Sequence, residues 1–283
     1  MGSTMKLQGK VALVTGANTG IGRVTARELA LQGAHVFLAC RSEQKTQAVL
    51  DEIHELSGGQ AKAEFLPLDL GDLDSVRRCA ETFLARDLPL HLLICNAGLA
   101  GQRGMTASGF ELIFGVCHVG HFLLTQLLLE RIKASAPARI VVVASKLHRT
   151  AKTLDFGGLR QPTRSRTAMA EYAVAKLANI LFAKELAKRL QDTGVTTYAL
   201  HPGVVASDVW RAVPWPFDKL IKAFMLSPEQ GAATTLHCAT SAAVATETGL
   251  YYDECQSVPP SRLACDASLA QQLWQESEAW VNT

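Results

Sequence analysis

A tyrosine and a lysine stand one helical turn apart in a run of strong helix formers, EYAVAKLAN, at 171–179. Side chains at positions i and i+4 of an α-helix share one face, so Tyr172 and Lys176 can occupy one small volume. A phenol with an ordinary pKa of about 10 is a poor base at neutral pH, and an ammonium within about 4–6 Å favours the phenolate. The pair can therefore transfer protons, although a surface tyrosine beside a solvated lysine has the same spacing.

A glycine-rich turn, TGANTGIG at 15–22, follows the first apolar run and opens a helical stretch. Its glycines allow a tight turn and a close approach of the backbone to a pyrophosphate. A phosphate there would lie at a helix N-terminus, where free N–H groups and the helix dipole favour an anion. The pattern predicts dinucleotide binding. The predicted cofactor contacts in this turn are Gly16, Asn18, Thr19, Gly20, Ile21 and Gly22.

The end of the second apolar run, FLACRS, bears on which nicotinamide cofactor is used. A free ribose 2′-hydroxyl is usually bound by Asp or Glu about 20 residues beyond the glycines, but Cys40 and Arg41 occupy that place. The missing carboxylate removes a repulsion, and a guanidinium can bind a 2′-phosphate. We therefore predict NADP(H) rather than NAD(H), with Arg41 as a simple solvated strand-end charge as the alternative interpretation.

The elements that must position these residues alternate along the chain from Lys10 onward. Apolar runs without strict alternation, each followed by a helix of about 12 residues or more, favour a parallel sheet covered on both faces. We predict an α/β fold: a single doubly wound Rossmann-type domain with a mostly parallel seven-stranded sheet and helices on both faces. The strands located by pattern are 10–15, 35–40, 63–68, 90–95, 138–145 and 195–202, and the helices are 20–32, 43–57, 72–86, 106–134, 168–192 and 228–240.

Two segments interrupt this alternation beyond the carboxyl ends of predicted strands, where open α/β sheets bind their ligands. The arginine-rich segment 147–167 is one, and 203–227, which carries Trp210 and Trp215, is the other. We expect both to be substrate loops. The predicted domain is 7–283, and we interpret 1–6 as a tag remnant or N-terminal tail.

Composition argues against several classes of protein. The 283 residues carry a formal net charge of only +2, and Lys and Arg are dispersed among acids, so we expect no nucleic-acid partner. Seven cysteines without a CxxC pair indicate buried thiols in a reducing compartment rather than disulfides or a zinc site. No uninterrupted apolar stretch reaches the roughly 18 residues of a spanning helix. We expect a cytoplasmic chain as given, without a membrane span.

Six motifs in order resemble the short-chain dehydrogenase/reductase family over residues 7 to about 255. They are TGANTGIG, the Asp69-Leu70 pair, CNAG at 95–98, IVVVAS ending in Ser145, YAVAK, and HPGVV at 201–205. Three longer segments are most similar to the retinol dehydrogenase-like branch of that family: GHFLLTQLLLERIKASAPARIVVVAS, LANILFAKELAKRL and GVTTYALHPGVV.

The resemblance implies a role for individual residues. Tyr172 would transfer the proton at the substrate oxygen, and Lys176 would lower the pKa of that phenol and bond the nicotinamide ribose. Ser145 would hydrogen-bond the same substrate oxygen, so Ser145 and Tyr172 are the predicted substrate contacts. Tyr172 and Lys176 also count as cofactor contacts. The further implied NADP(H) contacts are Asp69, Leu70, Asn96, Ala97, Gly98, Pro202, Gly203, Val205 and Ser207.

One position departs from the family pattern. Cys117 stands where the family usually has an asparagine, which helps position a water linking the catalytic lysine to bulk solvent. A thiol cannot supply the paired donor and acceptor of an amide. Three interpretations stay open: a weakened but real enzyme, an engineered or natural variant, and a non-catalytic relative that binds nucleotide. His118 and His121 flank this position, and an HxxH pattern without a third ligand indicates helix packing rather than a metal site.

The leading prediction is an NADP(H)-dependent oxidoreductase that interconverts a hydrophobic aldehyde or ketone and its alcohol. The resemblance implies retinal/retinol-type or other lipid carbonyls. The alternative is a nucleotide-binding regulatory relative with weak or no turnover. A sugar-nucleotide epimerase or dehydratase is disfavoured, since its glycine spacing is typically TGxxGxxG and the chain has TGxxxGxG. The resemblance also allows a homo-oligomer through the two long helices and, if an N-terminal anchor was removed, native attachment to the ER membrane.

Overall fold

One eight-stranded sheet organises the protein in a computed structural model that describes residues 6–204 and 226–282. The strands are β1 Val11–Thr15, β2 His35–Cys40, β3 Ala63–Pro67, β4 Leu92–Cys95, β5 Ala138–Val143, β6 Val195–His201, β7 Leu250–Asp253 and β8 Gln256–Ser257. Their order across the sheet is β3-β2-β1-β4-β5-β6-β7-β8. All pairs from β3 to β7 are parallel, and β8 pairs antiparallel to β7.

The prediction of a mostly parallel sheet is confirmed, with a two-residue antiparallel edge strand, β8, beyond the seven expected strands. The six strands located by pattern all form, because each is a run of apolar and β-branched residues. The sequence pattern did not locate β7, a four-residue strand with an exposed first residue. So short a run is ambiguous without the neighbouring strand that it pairs with.

Helices cover both faces of the sheet, as predicted. Within the described ranges they are α1 Gly20–Leu31, α2 Glu43–Leu56, α3 Leu73–Leu84, α4 Leu112–Ala134, α5 Met169–Arg189, α6 Pro228–Thr240 and α7 Ala267–Val281. The helices α1, α2 and α6 pack in one apolar cluster, and α3, α4, α5 and α7 pack in the other. Alternate residues of β1 face the two clusters, Leu13 one and Val14 the other, as a central strand of a doubly wound sheet requires.

The helix α4 begins six residues later than the predicted 106, because the backbone first makes a turn closed by a bridge between Met105 and Glu111. The Glu111 carboxylate then caps the helix by accepting from Phe114 N at 2.8 Å. Five residues of α4, Gly115–Val119, form a π-helical turn. Such turns widen a helix locally and often lie at functional sites.

By length and composition alone, α4 could cross a membrane, and it is the one such helix in the described part of the chain. However, 72% of its most apolar 18-residue window is buried inside the protein. The helix α4 is therefore part of the hydrophobic core, where it packs against the sheet, α3 and α5.

The C-terminal helix α7 was not predicted, and it packs over the two long helices. Trp274 stacks on Phe182 of α5 with ring centroids 6.0 Å apart, and Ser277 Oγ lies 2.9 Å from His118 Nε2 of α4. The Arg189 guanidinium lies 4.2 Å from the centroid of the Trp274 ring. The helix α7 thus contacts both long helices, through which a homo-oligomer was expected.

Candidate active site

Several of the predicted site residues lie at the carboxyl edge of the sheet, where β1, β4, β5 and β6 end. Asn96, just beyond β4, donates from Nδ2 to the Thr15 carbonyl of β1 at 2.8 Å. Lys176 of α5 donates from Nζ to the Val143 carbonyl of β5 at 2.8 Å. These two bonds tie the glycine turn and the YxxxK helix to adjacent strand ends.

The glycine turn is packed too tightly for side chains. Gly16 has φ +65°, and a Cβ added there would lie 2.9 Å from Ala97 Cα. A Cβ on Gly22 would lie 2.3 Å from the Gly16 carbonyl oxygen and 2.4 Å from Asn96 Nδ2. Gly20 begins α1, whose first turn carries no acidic side chain. The turn is therefore closely packed, and no acidic side chain in the first turn of α1 offsets the positive end of the helix dipole. Both features favour binding of a pyrophosphate.

Tyr172 and Lys176 share one volume, as their spacing predicts. Lys176 Nζ lies 5.5 Å from the Tyr172 ring centroid, and Lys176 is only 3% exposed. The net effect on the phenol differs from the expectation, however. Burial raises the pKa of Tyr172; the Lys176 ammonium and a hydrogen bond with Ser145 act to lower it but do not outweigh burial. In the protein alone, Tyr172 is therefore held as the neutral phenol.

Ser145 is oriented by its own turn. Its Oγ accepts from Leu147 N at 3.2 Å, which starts the 3₁₀ turn Lys146–Thr150. Because the backbone N–H can only donate, the Ser145 hydroxyl hydrogen stays available for a substrate oxygen or for Tyr172. His148 stabilises this turn. Its Nδ1 lies 2.6 Å from the Ser145 carbonyl, and its Nε2 accepts from Ser261 N at 3.0 Å.

Cys117 lies in the π-helical turn of α4 and is fully buried. Its Sγ is 3.9 Å from the Leu99 carbonyl, a weak thiol bond. A Cβ added to Gly98 would lie 3.4 Å from Lys176 Nζ and 3.5 Å from Cys117 Sγ. Both atoms therefore border the same space beside Gly98, so the residue at 117 lies where it can influence that ammonium.

His121, one turn after Cys117, links α4 to the cofactor turn. Its Nδ1 lies 3.0 Å from the Cys117 carbonyl, and its Nε2 lies 2.8 Å from Thr15 Oγ1. Burial lowers the pKa of His121 to about 4, so the ring is neutral. A carbonyl only accepts, so the proton must be on Nδ1, and Nε2 must accept from the Thr15 hydroxyl.

That tautomer fixes the direction of the bonds around Thr15. With its hydrogen directed to His121, the Thr15 oxygen accepts from the backbone N–H groups of Asn96 and Ala97, at 2.9 and 3.0 Å. The sequence indicated helix packing for both histidines. His118 fits that description, with burial lowering its pKa to about 3, whereas His121 also holds the CNAG segment through Thr15. The contact spans 106 residues, so no local pattern could have revealed it.

The remaining predicted cofactor residues differ in their exposure and in their hydrogen-bond partners. Arg41 is exposed just beyond β2, and the Ala39 carbonyl of that strand accepts from Gly16 N at 2.9 Å. Asp69 Oδ1 accepts from Gly71 N at 2.9 Å, whereas Leu70 is only 5% exposed and belongs to the core. Pro202 and Gly203 follow β6 directly. Val205, Ser207 and most of the loop 203–227 lie outside the described residues.

The predicted substrate loop 147–167 is anchored to the start of α4. Thr163 Oγ1 donates to Glu111 Oε1, and Gly104 N donates to Thr163 Oγ1 at 3.0 Å. Glu111 is 3% exposed, and burial raises the pKa of its carboxyl group. This buried acid was not recognised in the sequence, because a lone glutamate at a helix start has the same pattern as an ordinary cap.

Comparison with known proteins identifies the family that this chain resembles. The sequence model of the short chain dehydrogenase family matches residues 10–155. Retinol dehydrogenase 12 from Homo sapiens is 45% identical over 281 residues, which cover 97% of this chain and 87% of that protein. A solved structure of an uncharacterized protein from Mycobacterium paratuberculosis has a TM-score of 0.78 at 31% identity and covers 100% of this chain and 98% of its own.

A second solved structure contains a nicotinamide cofactor. It is described as a putative NAD(P)-dependent gluconate 5-dehydrogenase from Beutenbergia cavernae with bound NADP. Its TM-score is 0.70 at 28% identity, with 89% of this chain and 97% of that chain covered. The fold that carries the glycine turn here therefore holds such a cofactor in a similar protein.

Proposed function

We propose a cofactor and substrate preference for this chain, which belongs to the short-chain dehydrogenase family and is an oxidoreductase of alcohols and carbonyls. The proposed enzyme is NADP(H)-dependent and interconverts a hydrophobic aldehyde or ketone, of retinal/retinol type or another lipid carbonyl, with its alcohol. The observation that carries the proposal is the convergence of Ser145, Tyr172 and Lys176 beside the glycine turn.

Each of these side chains has a distinct task at the substrate oxygen. The Ser145 hydroxyl, oriented by Leu147 N, donates to that oxygen as negative charge develops on it. Tyr172 supplies the proton during carbonyl reduction, which it can do only as the neutral phenol. During alcohol oxidation Tyr172 must first lose its proton, and the Lys176 ammonium stabilises the resulting phenolate. Bound NADP(H) would exchange the hydride with the substrate carbon.

The preference for NADP(H) is supported by the surroundings of Arg41. The residue is exposed beside the glycine turn, and within the described ranges its guanidinium has no carboxylate within 4.0 Å. Cys40 before it is buried, and burial raises the pKa of its thiol, so position 40 carries no negative charge where an acid would bind a free ribose 2′-hydroxyl. A 2′-phosphate placed there can bind the Arg41 guanidinium and meets no carboxylate from position 40 or 41.

The proposed substrate class is supported by the 45% identity to retinol dehydrogenase 12 and by the boundary of the site. Val204 and Leu226, which lie near the two ends of the loop 203–227, are 53% and 37% exposed. Exposed apolar side chains at the mouth of a site favour a hydrophobic ligand.

An NADPH-oxidation screen against retinoid, steroid, aliphatic and aromatic carbonyls tests the proposal. We expect turnover with hydrophobic carbonyls, abolished in Tyr172→Phe while NADPH affinity is nearly unchanged. Tyr251→Phe is the matched control, because it also removes a buried tyrosine hydroxyl, one without a hydrogen-bond partner among the described residues. Full activity in Tyr172→Phe would refute the assigned mechanism.

Cys117 favours a second candidate function, a nucleotide-binding protein with weak or no turnover. The buried thiol beside Lys176 replaces the amide that the family usually has, so proton exchange with solvent loses one polar group. NADPH binding without consumption across the whole carbonyl panel would select this candidate. A homo-oligomer also stays a prediction.

A further inference from the structure

Positive charge is concentrated at one edge of the molecule, next to Ser145. The segment 146–167 contains six cationic side chains against one carboxylate, Asp155, although the whole chain has a net charge of only +2. The rest of the chain is therefore net negative. The six cations, all exposed, are Lys146, Arg149, Lys152, Arg160, Arg164 and Arg166.

Half of these charges have a local partner. Lys146 Nζ lies 2.7 Å from Asp253 Oδ2, Arg149 donates to the Pro259 carbonyl at 2.6 Å, and Arg160 lies 4.6 Å from the Phe110 ring centroid. Among the residues that the structure describes, none places a carboxylate within 4.0 Å of the Lys152, Arg164 or Arg166 side chain. Within the described ranges these three cations pair with no carboxylate, and they are available to an external anion.

Exposed apolar residues lie at the same edge. Five large hydrophobic side chains are exposed in the described part of the chain. Three of them are Met105, Val204 and Leu226. Met105 lies in the segment that follows β4, and Val204 and Leu226 lie near the two ends of the loop 203–227, which follows β6. Leu226 N donates to the Val204 carbonyl at 2.8 Å, and Gly104, next to Met105, bonds to Thr163 of the cationic segment.

We propose that this edge docks on an anionic membrane surface, with segment 146–167 contacting the headgroups. Clustered Lys and Arg are attracted to anionic lipid, and apolar side chains beside them can enter the headgroup and acyl boundary. A nucleic acid would satisfy the cations but would leave the three apolar residues without a partner. The site opens at the same edge, so docking would place it against the bilayer. This inference goes beyond the proposed reaction and does not depend on which carbonyl is reduced.

Co-sedimentation of the full chain with lipid vesicles tests the inference. We expect binding to phosphatidylcholine vesicles that contain phosphatidylserine, no binding to phosphatidylcholine alone, and loss of binding as salt is raised. The triple variant Lys152→Glu, Arg164→Glu, Arg166→Glu should lower the partition coefficient at least about tenfold. The neutral triple variant, with Gln at the same positions, should lose less vesicle binding than the Glu variant. It takes the place of the Glu variant if that variant does not fold.

The control is a triple variant with the same charge change elsewhere: Lys62→Glu, Arg78→Glu, Arg86→Glu. Lys62 precedes β3 at the opposite edge, and Arg78 and Arg86 lie on and after α3, all exposed. This variant should keep most of the vesicle binding, and NADPH binding by every variant shows that it is folded. Equal losses in both Glu variants, salt-independent binding, no binding to the anionic vesicles, or tighter binding to duplex DNA would each overturn the inference.

Discussion

Nε2 of His121 lies 2.8 Å from Oγ1 of Thr15 and joins α4 to the end of β1. Both residues are almost fully buried, and the same imidazole bonds the Cys117 carbonyl through Nδ1. One neutral side chain thus connects the π-helical turn beside Lys176 with the segment that lines the cofactor turn. A residue that contacts neither substrate nor cofactor can in this way position groups that do.

We expect His121→Leu to weaken NADPH binding as well as stability. The variant removes two buried hydrogen bonds, with the Cys117 carbonyl and with the Thr15 hydroxyl, at a cost of about 0.5–1.5 kcal/mol each, since Thr15 Oγ1 can still donate to the Ile94 carbonyl at 3.3 Å. It also loosens Thr15, which accepts from Asn96 and Ala97 N–H. Urea unfolding and NADPH fluorescence titration measure the two effects.

The matched control for that experiment is His118→Leu. His118 lies on the same helix, is equally buried, and bonds Ser277 of α7 rather than the cofactor turn. It should lose stability to a similar degree while keeping the NADPH dissociation constant of the unchanged protein. An equal rise of that constant in both variants would show that the Thr15 bond has no specific role.

Cys117→Asn should raise kcat if the missing amide limits proton exchange with solvent. The new side chain would lie beside Lys176, separated from it by Gly98, and would supply the donor and acceptor that a thiol lacks. Steady-state kinetics at saturating NADPH measure the change. Cys117→Ser, which has a hydroxyl but no amide, is the control. A kcat of Cys117→Asn no higher than that of Cys117→Ser or of the unchanged protein would mean that the thiol does not limit proton exchange.

Arg41→Asp should shift the preference from NADPH toward NADH. The carboxylate would repel a 2′-phosphate and accept from a free 2′-hydroxyl, so the ratio of kcat/KM for NADPH to that for NADH should fall by at least about tenfold, or about 1.4 kcal/mol. Arg78→Asp on α3, 66% exposed, makes the same charge change far from the turn. An unchanged ratio in Arg41→Asp would argue against the cofactor assignment.

Stability should fall as the pH is lowered from about 6.5 to about 4. Burial lowers the pKa of His118 to about 3 and that of His121 and His201 to about 4, whereas in the unfolded chain each titrates near about 6.5. In this window the unfolded state binds more protons, so each histidine contributes a slope of up to about 1.4 kcal/mol per pH unit. Glu111, with its raised pKa, protonates in the folded state and opposes the trend in part.

Urea unfolding across that pH range measures the slope of the free energy of unfolding. The His118→Leu variant removes one of the three histidines and should show a shallower dependence on pH than the unchanged protein. Parallel curves for the two proteins would mean that His118 is not the neutral buried group described above.

Local patterns were sufficient for most of the framework. The six strands found by pattern are each rich in apolar and β-branched residues. Helix α6 has the predicted bounds, 228–240; Ser227 and Gln230 form a capping box at its start, and Pro228 is its first residue. The glycine turn and the Tyr172–Lys176 spacing are equally local. All of these depend on residues within a few positions of one another, where backbone geometry alone decides which side chains are neighbours.

Only the tertiary structure decided the rest. The sheet edge β7–β8, the packing of α7 on α4 and α5, the His121–Thr15 bond and the Glu111–Thr163 bond all join segments far apart in the chain. The pKa of Tyr172 is the clearest case. The sequence supplied the neighbouring ammonium, but the dominant effect is burial, which is set by every element packed around the phenol and is therefore a property of the assembled fold.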